Sequence, residues 1–224
     1  MRITLPSGTP AEVSRPDEGG AAGPEGGLVI APDIFGLRPL YDDLVARLAR
    51  EWNLAVCAVE PFPGRELGPD IEPRFASVSS IDDALHLRDL EEAAGMLGQA
   101  RVGLLGFCLG GMYCHKASRS EVFDRIVSFY GMIRVPEPWR SPGQGEPLHY
   151  LAEGHADRVL AIVGERDHYT PPADIAALAA AGVTVVRYPE AEHGFAHDVT
   201  RPAHRAVDAA DAFARARAWL GGPG

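Results

Sequence analysis

The stretch Val-Gly-Leu-Leu-Gly-Phe-Cys-Leu-Gly-Gly-Met at residues 102–112 constrains the fold more than any other part of the chain. Residues 102–105 are a short apolar run that fits a buried strand. Residues 106–110 then match the G-x-S-x-G nucleophile elbow, with Cys108 in the serine slot. In such an elbow a strand reverses into a helix within about one turn, leaving the central side chain strained and exposed at the tip. The spacing requires Gly106 and Gly110, because a Cβ at either place would strike the neighbouring chain. The free N–H groups of the next helix, with its dipole, favour a thiolate and any oxyanion formed beside it. A glycine-rich turn with a buried cysteine would give the same string, so the rest of the chain has to decide.

Two later segments do so. An apolar run at 159–163 leads through Gly164, Glu165 and Arg166 to Asp167, and a second at 183–188 leads to His193. Nucleophile, acid, histidine, each just past a strand, is the chain order of the α/β-hydrolases. Glu165 competes with Asp167 for the acid position. A free thiol, with a pKa near 8.5, is only a few per cent ionised at pH 7, so a histidine within hydrogen-bond reach has to take its proton. A carboxylate on the other ring nitrogen would fix the tautomer. His193 and His197 stand at i, i+4, but without an HExxH motif, so no metal is expected.

At 224 residues the chain is long enough for one domain with a sizeable core. Its net charge of -10 argues against nucleic-acid binding, which needs basic surface. No apolar run approaches the roughly 20 residues that span a bilayer, and residues 1–8 hold no signal-peptide core. Cys57, Cys108 and Cys114 follow no disulfide or zinc spacing, which suits the cytoplasm. Cys57 and Cys114 read as core residues.

Strand candidates fall at 1–5, 11–14, 28–31, 54–59, 102–105, 125–130, 159–163 and 183–188, the first two as an edge hairpin. Residues 18–27 read as an exposed loop, 61–79 as a long loop with room for a helical turn, and 131–154 as a Pro- and Gly-rich segment over the site. Helices are expected at 41–51, 80–97 (capped by Ser80 or Asp83), from the elbow to about 118, at 172–181 and at 202–220. Buried strands alternating with amphipathic helices predict a mostly parallel sheet of about eight strands, covered on both faces. The expected fold class is α/β, with residues 1–224 as a single α/β-hydrolase domain.

With these residues in view, the chain resembles the dienelactone hydrolase family, a cysteine branch of the α/β-hydrolases. The resemblance rests on Gly106-Phe-Cys-Leu-Gly-Gly111, on residues 164–171, on Glu192-His-Gly-Phe195 and on Asp33-Ile-Phe-Gly36, and runs from about 28 to 220. It implies hydrolysis of a lactone or ester with Cys108 as nucleophile, His193 as base and Asp167 as orienting acid. The N–H groups of Leu109 and Ile34 would form the oxyanion hole. The family's early carboxylate, usually Glu, is here Asp33, expected beside the thiol or as a cap of the next helix. Where the family pattern places a substrate arginine four residues after the histidine, this chain has His197. Arg74 is the candidate for the second anchor, against an ordinary solvated arginine, and Phe75 stands where a tyrosine is usual.

These departures predict weaker preference for carboxylated lactones, with His197 and Arg74 as the substrate-binding candidates. No cofactor is expected, and the expected partner is a small ester or lactone, with no nucleic acid and no membrane. The chain is expected as a monomer, with a homodimer as the alternative. Competing functions are a thioesterase or general carboxylesterase, and an idle α/β-hydrolase fold that binds a ligand or partner, since fold alone does not decide function.

Overall fold

The structure is a computed structural model that describes residues 1–16 and 23–222. Its centre is an eight-stranded sheet of β1 (Arg2–Thr4), β2 (Pro10–Ser14), β3 (Gly27–Ala31), β4 (Ala55–Val59), β5 (Val102–Phe107), β6 (Arg125–Phe129), β7 (Val159–Gly164) and β8 (Thr184–Tyr188). The spatial order is β1-β2-β4-β3-β5-β6-β7-β8. β1 and β2 form an antiparallel hairpin and β2 runs antiparallel to β4, whereas every pair from β4 to β8 is parallel. The expected α/β architecture and edge hairpin are therefore present. Parallel strands need crossovers, and helices supply them.

The side-chain period of a strand sorts the core into two layers. Leu28 and Ile30 of β3 face the layer that α1 (Pro39–Trp52) and α7 (Ala206–Gly221) cover. Val29 and Ala31 face the other, built with α3 (Asp83–Leu97) and α4 (Leu109–Lys116). Each large aliphatic side chain so buried contributes roughly 1.5–3 kcal/mol. α1 shows how the sequence dictates such a helix. Pro39 sits in its first turn, where a missing N–H costs nothing, and Tyr41, Leu44, Val45, Leu48 and Trp52 return on one buried face. Asn53 ends it in the left-handed region at φ 55°, its N–H reaching the Ala49 carbonyl.

The structure departs from expectation in the connections. The segment 61–79 contains a short helix, α2 (Ile71–Ser77), with Pro73 in its first turn. The 131–154 segment carries α5 (Pro147–Glu153), again opened by a proline. α3 begins at Asp83, and its cap is Asp82, whose Oδ1 accepts the Leu85 N–H at 3.1 Å, in place of Ser80 or Asp83. Asp83 is buried instead against Lys116, with Nζ 2.8 and 3.0 Å from its two oxygens. The same carboxylate accepts from the Gly145 N–H and the Tyr150 hydroxyl. The final helix begins at Ala206 rather than near 202, after α6 (Pro172–Ala180) and β8. Of the loop expected at 18–27, residues 18–22 lie outside the described residues and Gly27 already belongs to β3. No helix among the described residues is long and apolar enough to cross a membrane.

Candidate active site

Cys108 stands between β5 and α4 at φ 54°, ψ −113°, a backbone conformation that strains any side chain with a Cβ, at a typical cost of roughly 1–3 kcal/mol. The surroundings hold it there. Its N–H donates to the Phe129 carbonyl at 3.0 Å. A Cβ on Gly110 would lie 1.9 Å from the Ala31 carbonyl oxygen, and one on Gly106 would lie 2.3 Å from the Gly110 oxygen. The two glycines thus let α4 start hard against the ends of β3 and β5. Leu109 is the first residue of α4, so its N–H has no carbonyl one turn back to bond.

Asp167 and His193 meet beyond the ends of β7 and β8. Asp167 Oδ2 lies 2.8 Å from His193 Nδ1, and Oδ1 accepts the Tyr169 N–H at 2.8 Å. The Asp167 side chain is fully buried and that of His193 is 11% exposed. Glu165, the rival acid, lies on the surface beside Arg187. The second ring nitrogen, Nε2, is buried and makes no hydrogen bond of ordinary geometry, yet Cys108 is near enough to interact with the ring. Burial alone would lower the imidazole pKa. The interactions with Cys108 and the Asp167 carboxylate outweigh it, and His193 is pushed up to about 10.

A small cavity opens beside the sulfur. Cys108, His193, Ile34 and Asp33 form its polar end, and Ile71, Phe75, Met132, Trp139 and Tyr169 line its apolar wall. Phe75 packs on Trp139 with ring centroids 5.1 Å apart, which joins α2 to the 131–154 segment across the cavity. Cys57 and Cys114 are fully buried in the core away from this wall, and burial raises both thiols, Cys57 to about 12.

Three expected site residues are placed differently from expectation. The Asp33 carboxylate neither caps α1 nor bonds the thiol. Its Oδ1 lies 2.6 Å from Arg38 Nη1 and 3.0 Å from the Phe35 amide nitrogen, and its Oδ2 lies 2.9 Å from Arg38 Nη2 and 2.7 Å from His197 Nε2. Both carboxylate oxygens are thus taken up by partners other than the Cys108 sulfur. His197 cannot anchor a substrate, because its side chain is fully buried and its other nitrogen, Nδ1, lies 2.5 Å from the Tyr130 hydroxyl. Arg74 spends its guanidinium on the carbonyls of Gly68 and Ile34, and lines a neighbouring recess rather than the cavity of Cys108.

The permanent positive charge at this cavity belongs to Arg201. It lines both the cavity and the adjoining recess, and no carboxylate lies within ion-pair distance of its guanidinium among the described residues. Nη1 passes over Gly194, where a Cβ would come within 2.5 Å of it. Arg201 follows His193 by eight residues rather than four, so a fixed-spacing search of the sequence misses it. Tyr130 was also missed. Its only signal is its position at the end of β6, the strand next to the elbow strand. Among the described residues no group of three or more His, Cys, Asp or Glu side chains could hold a metal ion.

A strained cysteine on a strand-to-helix turn, near a histidine–carboxylate pair on the loops after β7 and β8, is the arrangement of an α/β-hydrolase. Comparison with known proteins narrows this class. The model of the dienelactone hydrolase family matches residues 13–222, so the chain belongs to that family, and with it to the carboxylic ester hydrolases. An Escherichia coli protein assigned as a carboxymethylenebutenolidase is 27% identical over 228 residues, covering 94% of this chain and 81% of that one. The carboxymethylenebutenolidase of Rhodococcus opacus is 28% identical over 195 residues, covering 82% and 75%. A solved Klebsiella pneumoniae structure assigned as a dienelactone hydrolase superposes with a TM-score of 0.82 at 28% identity, covering 98% of this chain and 97% of that one.

Proposed function

We propose that the protein hydrolyses a small lactone or carboxylic ester through a covalent thioester on Cys108. The observation that carries this reading is the pairing of Asp167 with His193 Nδ1, which leaves Nε2 unbonded beside a cysteine at a nucleophile elbow. The raised His193 pKa suits the ring to take the Cys108 proton and leave a thiolate for attack. The thiolate attacks the carbonyl carbon, and the oxyanion that forms is held by the N–H groups of Ile34 and Leu109. His193 gives its proton to the departing alkoxide oxygen. It then takes a proton from water, which attacks the thioester, expels the acid and restores the thiolate.

The apolar wall of Phe75, Met132 and Trp139 suits a compact, unsaturated or aromatic acyl portion. Arg201 suits a carboxylate or other anion on that substrate, because guanidinium keeps its charge at every working pH and offers two parallel donors. This reverses the weaker preference for carboxylated lactones expected from His197 and Arg74, because Arg201 supplies an anchor that neither of them gives. The test is turnover of paired lactones and esters, with and without a carboxylate, by the wild type and by Cys108→Ala. The proposal predicts turnover lost in the variant and a lower KM for the carboxylated member of each pair. Turnover that persists in Cys108→Ala would refute it.

A further inference from the structure

The chain contains a second aspartate–histidine pair beside the first. Asp33 and His197 repeat the arrangement of Asp167 and His193, with the ring nitrogens exchanged: Nε2 faces the carboxylate at 2.7 Å and Nδ1 faces the Tyr130 hydroxyl at 2.5 Å. Every part is buried, and the pair joins the elements that carry the site. Asp33 immediately precedes Ile34 in the loop after β3. The His197 ring stacks on Phe107, the residue before Cys108, with centroids 4.5 Å apart and planes at 17°. Tyr130 packs edge-on against the His193 ring at 5.3 Å and 66°.

Burial alone would raise the Asp33 pKa, but the bonds and charges of His197 and Arg38 overcome it and hold the carboxyl below the usual carboxylate range. An ionised Asp33 only accepts, so Nε2 carries the hydrogen toward it, and Nδ1 shares the second bond with the Tyr130 hydroxyl. Burial pushes the Tyr130 phenol well up, so it stays a donor. Tyr130 itself is held at φ 41°, with its N–H on the Ile162 carbonyl at 2.7 Å. Its hydroxyl is thereby turned to His197, and its ring edge to His193.

We infer that Asp33 and His197 form a positioning pair that, through Tyr130, fixes the His193 ring for proton exchange with Cys108. The inference rests on the reading of Cys108 and His193 given above. Neither His197 nor Tyr130 is a catalytic residue in this account, because each acts on the ring that touches the sulfur. The ionisable groups around His193 are Cys108, Asp167, Tyr130, Tyr169 and Arg201, and those around His197 are Asp33, Asp198, Tyr130, Tyr41 and, through Asp33, Arg38.

The experiment measures kcat, KM and the alkaline limb of kcat/KM with p-nitrophenyl acetate. Wild type is compared with Tyr130→Phe, His197→Leu and His197→Gln, with Cys108→Ala and His193→Ala as controls. Tyr130→Phe and His197→Leu are expected to lower kcat about tenfold with KM within twofold, and to shift the alkaline limb to lower pH. His197→Gln is expected to recover most of both, because its amide N–H can serve Asp33 and its carbonyl oxygen can serve Tyr130. Tyr130→Phe keeps the ring in place, so it carries the test if His197→Leu does not fold. A kcat within twofold of wild type in Tyr130→Phe, or a lowered kcat with the limb unmoved, overturns the inference, as does His197→Gln behaving like His197→Leu. Activity surviving in the two controls would instead overturn the underlying reading of Cys108 and His193.

Discussion

Asp167 Oδ2 holds His193 Nδ1 at 2.8 Å while the opposite nitrogen of the same ring stays buried and unbonded. Here the unbonded nitrogen adjoins the one cysteine of the chain that is not fully buried. That relationship leads directly to the consequences of removing each group.

Cys108→Ala and His193→Ala are each expected to lower kcat by at least a thousandfold, whereas Asp167→Asn costs less and its effect does not add to theirs. Residues that act as a unit show this non-additivity. Steady-state kinetics on the single and double variants checks it, and equal, additive losses contradict a shared site.

The pH behaviour follows from His193. Its pKa is raised from 6.5 to about 10. Folding therefore favours the protonated ring, and the stability this gives is complete below about 6.5 and lost as pH rises through about 10. Turnover is expected to fall over the same alkaline range, because a neutral imidazole has no proton to give the leaving group. Titration of the His193 ring by NMR should show a midpoint well above that of a free imidazole. A midpoint near 6.5 in the active protein contradicts the ion pair.

Arg201→Ala is expected to raise KM for a carboxylated lactone roughly tenfold to a hundredfold, the worth of a charge-assisted hydrogen bond, and to leave neutral-ester KM unchanged. Gly194→Ala should act in the same direction. Its Cβ would displace the guanidinium, and φ 77° is a left-handed conformation that alanine resists. Equal KM changes for both substrate types would show that Arg201 does not read charge.

The Lys116–Asp83 ion pair is buried on both sides. Lys116→Met removes the cation and leaves the buried Asp83 charge to neutral donors such as the Gly145 amide and the Tyr150 hydroxyl, so it is expected to cost about 3–5 kcal/mol of stability. Chemical denaturation measures it. Asp83 also secures the 131–154 segment, so mobility of Trp139 at the cavity should rise in the variant, as its fluorescence would report.

The sequence made the sheet, the elbow and the Asp167–His193 pair legible, because each depends on local pattern: an apolar run, a glycine spacing, a polar residue just past a strand. Inside 61–79 only a helical turn was legible, and the helix inside 131–154 was not, because prolines read as breakers until the fold places them in first turns. The roles of Asp33, Arg74 and His197 were not legible for a different reason. Each depends on partners distant in the chain: Asp33 meets His197 across 164 residues, and Arg74 meets Ile34 across 40. A position in a motif says which loop a side chain leaves from, whereas only tertiary structure says which groups have already claimed it.

The central claim is that Cys108 becomes covalently acylated. The most direct measurement is rapid acid quench of the wild type during turnover of p-nitrophenyl acetate, followed by peptide mass spectrometry. The account predicts one acetyl group, carried on the peptide containing Cys108, with Cys57 and Cys114 unmodified. Turnover with no acetyl on Cys108, or with the acetyl on another residue, would contradict it.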